Sequence, residues 1–250
     1  MMLSELFVQS VFLKENPPAD SYLSRLPVIR YLQKEKQLRF RRRVTFLVGE
    51  NGIGKSTLIE AIAVNMGFNP EGGSVNFRFS TRDTHSELYR YLKVVRGVGY
   101  RKDGFFLRAE SFYNVASNLD ALAQGPSLGG NLLDSYGGVS LHGQSHGESF
   151  LALVENRFGG DGLYILDEPE AALSPARILE LMCHIHRLEQ NNSQFIISTH
   201  SPILMAYPGA EIFYLTGEGI RSVTYRETEH YQITKRFLNS PETMLRYLFD

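Results

Sequence analysis

Apolar residues fall into two patterns along this chain, and their order predicts an architecture. Continuous apolar runs bounded by turns occur at Val44–Val48, Leu163–Leu166 and Phe195–Ser198, as expected of strands buried on both faces of a parallel sheet. Helical spacing lies between them. It runs through Leu58-Ile59-Glu60-Ala61-Ile62-Ala63-Val64, then from Gly147 through Leu151, Val154 and Phe158. A third helix is predicted with Ser174 as N-cap, Pro175 in its first turn, and an apolar face of Ile178, Leu181, Met182, Ile185 and Leu188. Leu3–Leu13 reads as a strand ended by Asn16-Pro17-Pro18. Val75–Phe79, Leu88–Arg96 and Phe105–Leu107 alternate enough to be strands, and they predict an antiparallel part beside the parallel core. Residues 120–144, rich in Gly, Ser, Asn and Gln, read as a long loop or lid. The tail reads as strands Ile212–Leu215 and Arg221–Tyr225, then helices around Tyr231–Phe237 and Pro241–Phe249. No internal repeat or heptad run is present. The expected class is α/β, with a mostly parallel core sheet, an antiparallel β part and a helical region.

Composition narrows this picture only modestly. At 250 residues, 43% hydrophobic and 21% charged, the chain can bury the core of one large domain. A formal net charge of −1 gives no overall basic bias toward nucleic acid and leaves a local patch open. Arg41-Arg42-Arg43 is such a patch, readable as a solvated strand end or as a phosphate or nucleic-acid contact. The one cysteine, Cys183, cannot form an internal disulfide, and its place in a helical pattern predicts burial. The N-terminal residues lack the basic start and apolar stretch of a signal peptide, and no apolar run approaches the length of a membrane span. A cytoplasmic location is therefore expected.

The chemistry concentrates at three strand ends. The run Gly49-Glu50-Asn51-Gly52-Ile53-Gly54-Lys55-Ser56-Thr57 fits the phosphate-loop pattern and stands between a predicted strand and a predicted helix. That order aims the backbone N–H groups of Glu50 to Thr57 and a helix N-terminus at a nucleotide's phosphates. Lys55 is expected to reach the β- and γ-phosphates, and the Ser56 hydroxyl to ligate Mg²⁺. The second strand, Leu163 to Leu166, ends in Asp167-Glu168-Pro169-Glu170, at the sheet edge where open α/β folds bind ligands. Asp167 is placed to hold Mg²⁺ or its water, and Glu168 to orient or deprotonate an attacking water. The third strand, Phe195 to Ser198, is followed by Thr199-His200-Ser201-Pro202, and the His200 imidazole can bond the γ-phosphate or that water. His142 and His146 are four apart, but no further ligands accompany them to make a zinc site.

These three elements, in this order, resemble the ABC-type ATPases. That family carries a signature about twenty residues before the acidic strand end. Here Gln144-Ser145-His146-Gly147-Glu148-Ser149 fits, with Gly147 20 positions before Asp167. The transporter form, Leu-Ser-Gly-Gly-Gln, keeps only its Ser and second Gly. The Ser-His-Gly-Glu variant, Glu170, and Ala171-Ala172-Leu173-Ser174-Pro175 at the D-loop resemble the non-transporter side. That side comprises the chromosome-maintenance and recombination ATPases, the overcoming-lysogenization-defect nucleases and small stand-alone ATPases. Lys55 to Ser145 spans 90 positions, too few for a long coiled-coil arm, and the 50 residues after His200 are too few for a nuclease domain.

The resemblance implies a single ABC-type ATPase domain over 1–250. Its β-rich part covers about 1–110, its helical or lid part about 111–160, and its acidic-strand and His-switch core about 161–250. It implies ATP and Mg²⁺ as ligands, with Ser145, Gly147 and Glu148 binding the γ-phosphate of ATP held by a second protomer. An ATP-dependent head-to-tail homodimer follows, coupled to a nucleic-acid or protein partner, as in DNA maintenance or phage defence. The alternatives are a transporter's nucleotide-binding subunit and a slow nucleotide switch or scaffold. The family's Mg²⁺-contacting Gln maps to Glu110, with Gln124 and Gln144 as weaker candidates. The adenine-stacking aromatic stays open among Phe12, Tyr22, Tyr31 and Phe40.

Overall fold

A computed structural model of the chain describes residues 6–74, 86–109 and 146–249. In chain order the elements are β1 (Val8–Leu13), α1 (Pro27–Glu35), β2 (Leu38–Arg39), β3 (Val44–Gly49), α2 (Lys55–Asn65), α3 (Leu88–Tyr91), β4 (Leu92–Arg96) and β5 (Asp103–Arg108). Within residues 146–249 come α4 (His146–Arg157), β6 (Gly162–Asp167), α5 (Pro175–Gln190), β7 (Gln194–Ser198), β8 (Glu211–Thr216), β9 (Gly219–Val223), α6 (Glu229–Asn239) and α7 (Pro241–Phe249). A six-stranded sheet runs β5-β6-β7-β3-β8-β9, parallel throughout except where β9 turns back antiparallel on β8. A second sheet, β2-β1-β4, is antiparallel.

Side-chain alternation divides the core in two. Val44, Phe46 and Val48 of β3, Tyr164 and Leu166 of β6, and Phe195 and Ile197 of β7 point to the layer containing α4 and α5. Leu47, Leu163, Ile165 and Ile196 point the other way, toward α1, α2 and the antiparallel sheet. A strand buried on both faces needs apolar residues at successive positions, which is why these segments read as unbroken runs. Being parallel, β3, β6 and β7 place their carboxyl ends at one edge. In register, Leu47 lies opposite Ser198, and Ser198 opposite Asp167.

Several expectations are corrected. Phe105–Leu107 is not in the antiparallel part. It lies within β5, parallel to β6, and Phe105, Phe106 and Leu107 are all buried, which suits a strand covered on both faces. The expected strand Leu88–Arg96 is helical over Leu88–Tyr91, where the Ser86 hydroxyl accepts the Leu88 N–H at 3.2 Å and starts a turn. Only Leu92–Arg96 is strand. Cys183 is exposed rather than buried. The buried face of α5 is Ile178, Leu181, Ile185 and Leu188. Cys183 sits two residues from Leu181, about 200° around the helix. The stretch expected as strand Val75–Phe79 and the loop of 120–144 lie outside the described residues. Ser174 does cap α5, accepting from the Arg177 N–H.

Candidate active site

The phosphate loop takes the shape its glycines allow. Gly54 is in the left-handed region at φ 99° and forms the N-cap of α2. At Gly49 a Cβ would lie 2.5 Å from the Leu215 carbonyl oxygen, so only glycine lets the loop leave β3 beside β8. Lys55 is 3% exposed, and its ammonium donates to the carbonyls of Gly49 and Glu50, both at 2.9 Å. Burial pushes its pKa down, against the pull of Glu168 and Asp167. Asn51 and Gly52 are exposed on the rim of the loop, while Ile53 and Thr57 are half-buried.

Asp167 ends β6 beneath this loop. Its Oδ1 accepts from the Ser56 hydroxyl at 3.1 Å and from the Ser198 hydroxyl at 2.5 Å. Burial raises its pKa, opposed by the Ser198 hydrogen bond and the Arg108 charge. Glu168 follows in the left-handed region at φ 51° and ψ 53°. That conformation costs a non-glycine residue roughly 1–2 kcal/mol and turns its side chain out of the strand line. The Glu168 N–H bonds back to Ser198, so the bend is fixed by the neighbouring strand. The His200 Nε2 lies 3.5 Å from Glu168 Oε1, and both side chains are partly exposed. The His200 backbone N–H donates to Glu170, which is largely buried and whose pKa burial raises.

Lys55, Ser56, Asp167, Glu168 and His200 thus meet at the carboxyl edge of β3, β6 and β7. Gly147 and Glu148 open α4 near the Ala171–Leu173 segment. A Cβ on Gly147 would lie 3.2 Å from the Ala172 carbonyl oxygen, and Glu148 pairs with Arg177 at 3.6 Å. Ser145, Glu110, Gln124, Gln144 and His142 lie outside the described residues. Among the aromatic candidates, Phe40 is buried edge-on against Phe213, with ring centroids 6.0 Å apart, so its face is not open to a base.

Residues 95–206 match a family model described as "AAA domain, putative AbiEii toxin, Type IV TA system", and residues 28–107 match one described as "AAA domain". The two matched segments carry the phosphate loop and the acidic strand end, and the fold is that of the ABC ATPase heads. One solved structure similar to this chain is cbiO1 from Clostridium perfringens, described as part of the ABC transporter complex cbiONQ. It is 17% identical with a TM-score of 0.53, and the match covers 95% of this chain and 97% of that one. Another is an ATP-binding cassette of an ABC transporter, 14% identical with a TM-score of 0.51, covering 97% of this chain and 99% of that one. No curated protein matches the sequence. Among the described residues, no helix is long and apolar enough to cross a membrane.

Sequence reading missed two side chains at this site. Arg108 ends β5 opposite Asp167 in register. Its Nη1 pairs with the buried Glu60 at 2.8 Å and its Nε lies 3.5 Å from Asp167 Oδ2. His230, at the start of α6, meets His200 with Nε2 3.1 Å from His200 Nδ1. Neither stands in a local pattern, and the only signal for Arg108 was a cation one residue past an apolar run. Arg108→Leu strips the buried Glu60 and Asp167 carboxylates of their shared cation. It should lower unfolding stability by about 3 kcal/mol, read from the urea midpoint. An unchanged midpoint would show that the bridge is not structural.

Proposed function

We propose that the protein is an ATPase that binds Mg-ATP on its phosphate loop and hydrolyses it as a head-to-tail homodimer with two shared sites. The observation that carries the reading is the convergence of Lys55, Ser56, Asp167, Glu168 and His200 on one sheet edge. Bound phosphate would replace the Gly49 and Glu50 carbonyls as partners of the Lys55 ammonium, exchanging neutral acceptors for charged ones. The N-terminus of α2 and the loop N–H groups add anion-binding dipoles there. The Ser56 hydroxyl and the Asp167 carboxylate are hard oxygen donors already bonded to one another, a set suited to Mg²⁺. The metal would supply charge neutralisation on the β- and γ-phosphates. Glu168 is free enough to orient or deprotonate a water, and His200 stands next to it to bond the γ-phosphate. Glu110 is proposed as a further metal contact.

Ser145, Gly147 and Glu148 are proposed to close the partner's site. What supports this is the family resemblance, the helix N-terminus at α4, and the exposure of Glu148. Specific activity should therefore rise with protein concentration. Ser145→Arg should leave nucleotide affinity unchanged and slow turnover roughly 100-fold, the effect of losing one anion contact at a reacting phosphate. Activity independent of both would contradict the shared site.

We infer that hydrolysis is coupled to a nucleic acid. A cleft of about 510 Å³ opens at the far end of β5 from Arg108, lined by Arg96, Arg101, Lys102 and Arg157, with Tyr100 87% exposed beside it. Lys102 and Arg157 are paired with Asp161 and Asp103, while Arg96 and Arg101 each donate to a backbone carbonyl and the Arg101 guanidinium lies 4.6 Å from the Phe68 ring centroid. Guanidinium groups beside an exposed aromatic suit a phosphate backbone and a stacked base. DNA or RNA should raise the ATPase rate, with binding that weakens as salt rises. No stimulation and no salt-sensitive binding would point to a protein partner, for which the exposed Tyr247, Leu248 and Phe249 of α7 offer an apolar surface.

A further inference from the structure

The His200–His230 contact joins the catalytic edge to a helix that no feature of the phosphate loop, acidic strand or signature accounts for. His230 is the second residue of α6. Three neighbouring contacts fix its place. Thr228, fully buried, caps α6 by accepting the Tyr231 N–H at 3.3 Å. Glu229 accepts from the Tyr214 hydroxyl at 3.2 Å, and the Tyr231 ring packs on Tyr225 at 4.7 Å between centroids. The imidazole is therefore held from both sides, with Nε2 3.1 Å from His200 Nδ1.

Two neutral imidazoles in that geometry share one proton between the facing nitrogens, so one ring donates and the other accepts. Both outer nitrogens bear on which. On the His200 side, Nε2 looks at the Glu168 carboxylate oxygen 3.5 Å away. If His200 carried its proton on Nδ1, a bare nitrogen lone pair would face that oxygen, acceptor against acceptor. With the proton on Nε2 the same approach becomes favourable. Among the described residues, neither outer nitrogen, His200 Nε2 nor His230 Nδ1, has a hydrogen-bond partner, and both are buried. Either arrangement therefore leaves one outer N–H without a hydrogen bond, and only at His200 does that N–H face a carboxylate. The carboxylate selects the arrangement in which His230 Nε2–H donates to His200 Nδ1, and His200 carries its proton on Nε2. Burial pushes both imidazoles below their ordinary pKa, which keeps the pair neutral at pH 7.

We propose that His230 is a positioning residue that holds His200 in the Nε2–H tautomer, so that His200 presents a donor rather than a lone pair to Glu168 and to the phosphate being transferred. The proposal rests on the reading of Glu168 and His200 given above, and it makes α6 part of the hydrolysis machinery without placing it against substrate.

The test combines a tautomer readout with a variant series on the full chain. In ¹⁵N-histidine-labelled wild-type protein, His200 should show a protonated Nε2 and a bare, hydrogen-bonded Nδ1. His230→Leu should mix the two His200 tautomers and lower kcat about three- to tenfold, the scale of one hydrogen bond, with KM for ATP unchanged. His230→Gln places an amide N–H at the same reach from the backbone, so it should restore the tautomer and bring kcat within about twofold of wild type. A protonated Nδ1 on His200 in wild type overturns the proposal, as does equal loss of kcat in the Leu and Gln variants. The spectrum reads the pair whether or not ATP is turned over, so a wild type without ATPase activity would fail the proposed function while leaving the tautomer measurable. Should His230→Leu not fold, the wild-type spectrum and His230→Gln still decide.

Discussion

Lys55→Ala protein will bind ATP roughly 100-fold more weakly than wild type, measured by titration with a fluorescent ATP analogue. The Lys55 ammonium is 3% exposed and already held in place by the Gly49 and Glu50 carbonyls, so it needs little reorganisation to meet phosphate. Charge-assisted hydrogen bonds contribute about 1.5–3 kcal/mol each, and losing the contact to both phosphates reaches about 3 kcal/mol. The loss should not come from unfolding, because the current acceptors are two neutral backbone carbonyls, one of them on the exposed Glu50. Far-UV circular dichroism would verify this. Unchanged ATP affinity in a folded Lys55→Ala protein would move the nucleotide away from this loop.

Glu168→Gln should separate binding from chemistry. The amide keeps the side chain's size and its place at the β6 terminus, yet it can no longer take a proton from water. Turnover should fall about 100- to 10,000-fold, the range for removing a general base, while ATP affinity stays within a few-fold of wild type. Wild-type rates in this variant would pass the water-activating role to another group. The left-handed backbone at φ 51° is tolerated by Gln as poorly as by Glu, so stability should change little.

How much was legible in the sequence depended on how local each signal was. The phosphate loop announces itself within nine residues, because the turn, the cation and the hydroxyl all belong to one strand-to-helix bend. Asp167, Glu168 and His200 meet Lys55 for a reason that is also readable: each follows a buried parallel strand, and parallel strands place their carboxyl ends together. Partner choice between strands is not local, and there the reading failed. Phe105–Leu107 reads as part of the antiparallel region, because nothing in the segment itself distinguishes a pairing with β6 from one with β4. Cys183 failed for the opposite reason. Its neighbours Met182 and Leu181 are apolar, but the helix turns about 100° per residue and carries it to the solvent side. Arg108 and His230 reach the site from β5 and α6, and only the folded arrangement shows a cation against Asp167 or a second imidazole against His200. The gap between His200 and His230 is 30 positions, with two strands folded in between.

The central claim is that two copies close on ATP. The most direct measurement is the mass of Glu168→Gln protein by light scattering, with and without Mg-ATP. Blocked hydrolysis preserves the γ-phosphate that each protomer's signature would grip, so binding shifts the monomer–dimer equilibrium. The prediction is a monomer without nucleotide and a dimer with saturating Mg-ATP. A monomer under both conditions, with ATP demonstrably bound, would contradict the shared site and leave Ser145 and Gly147 without the role proposed for them.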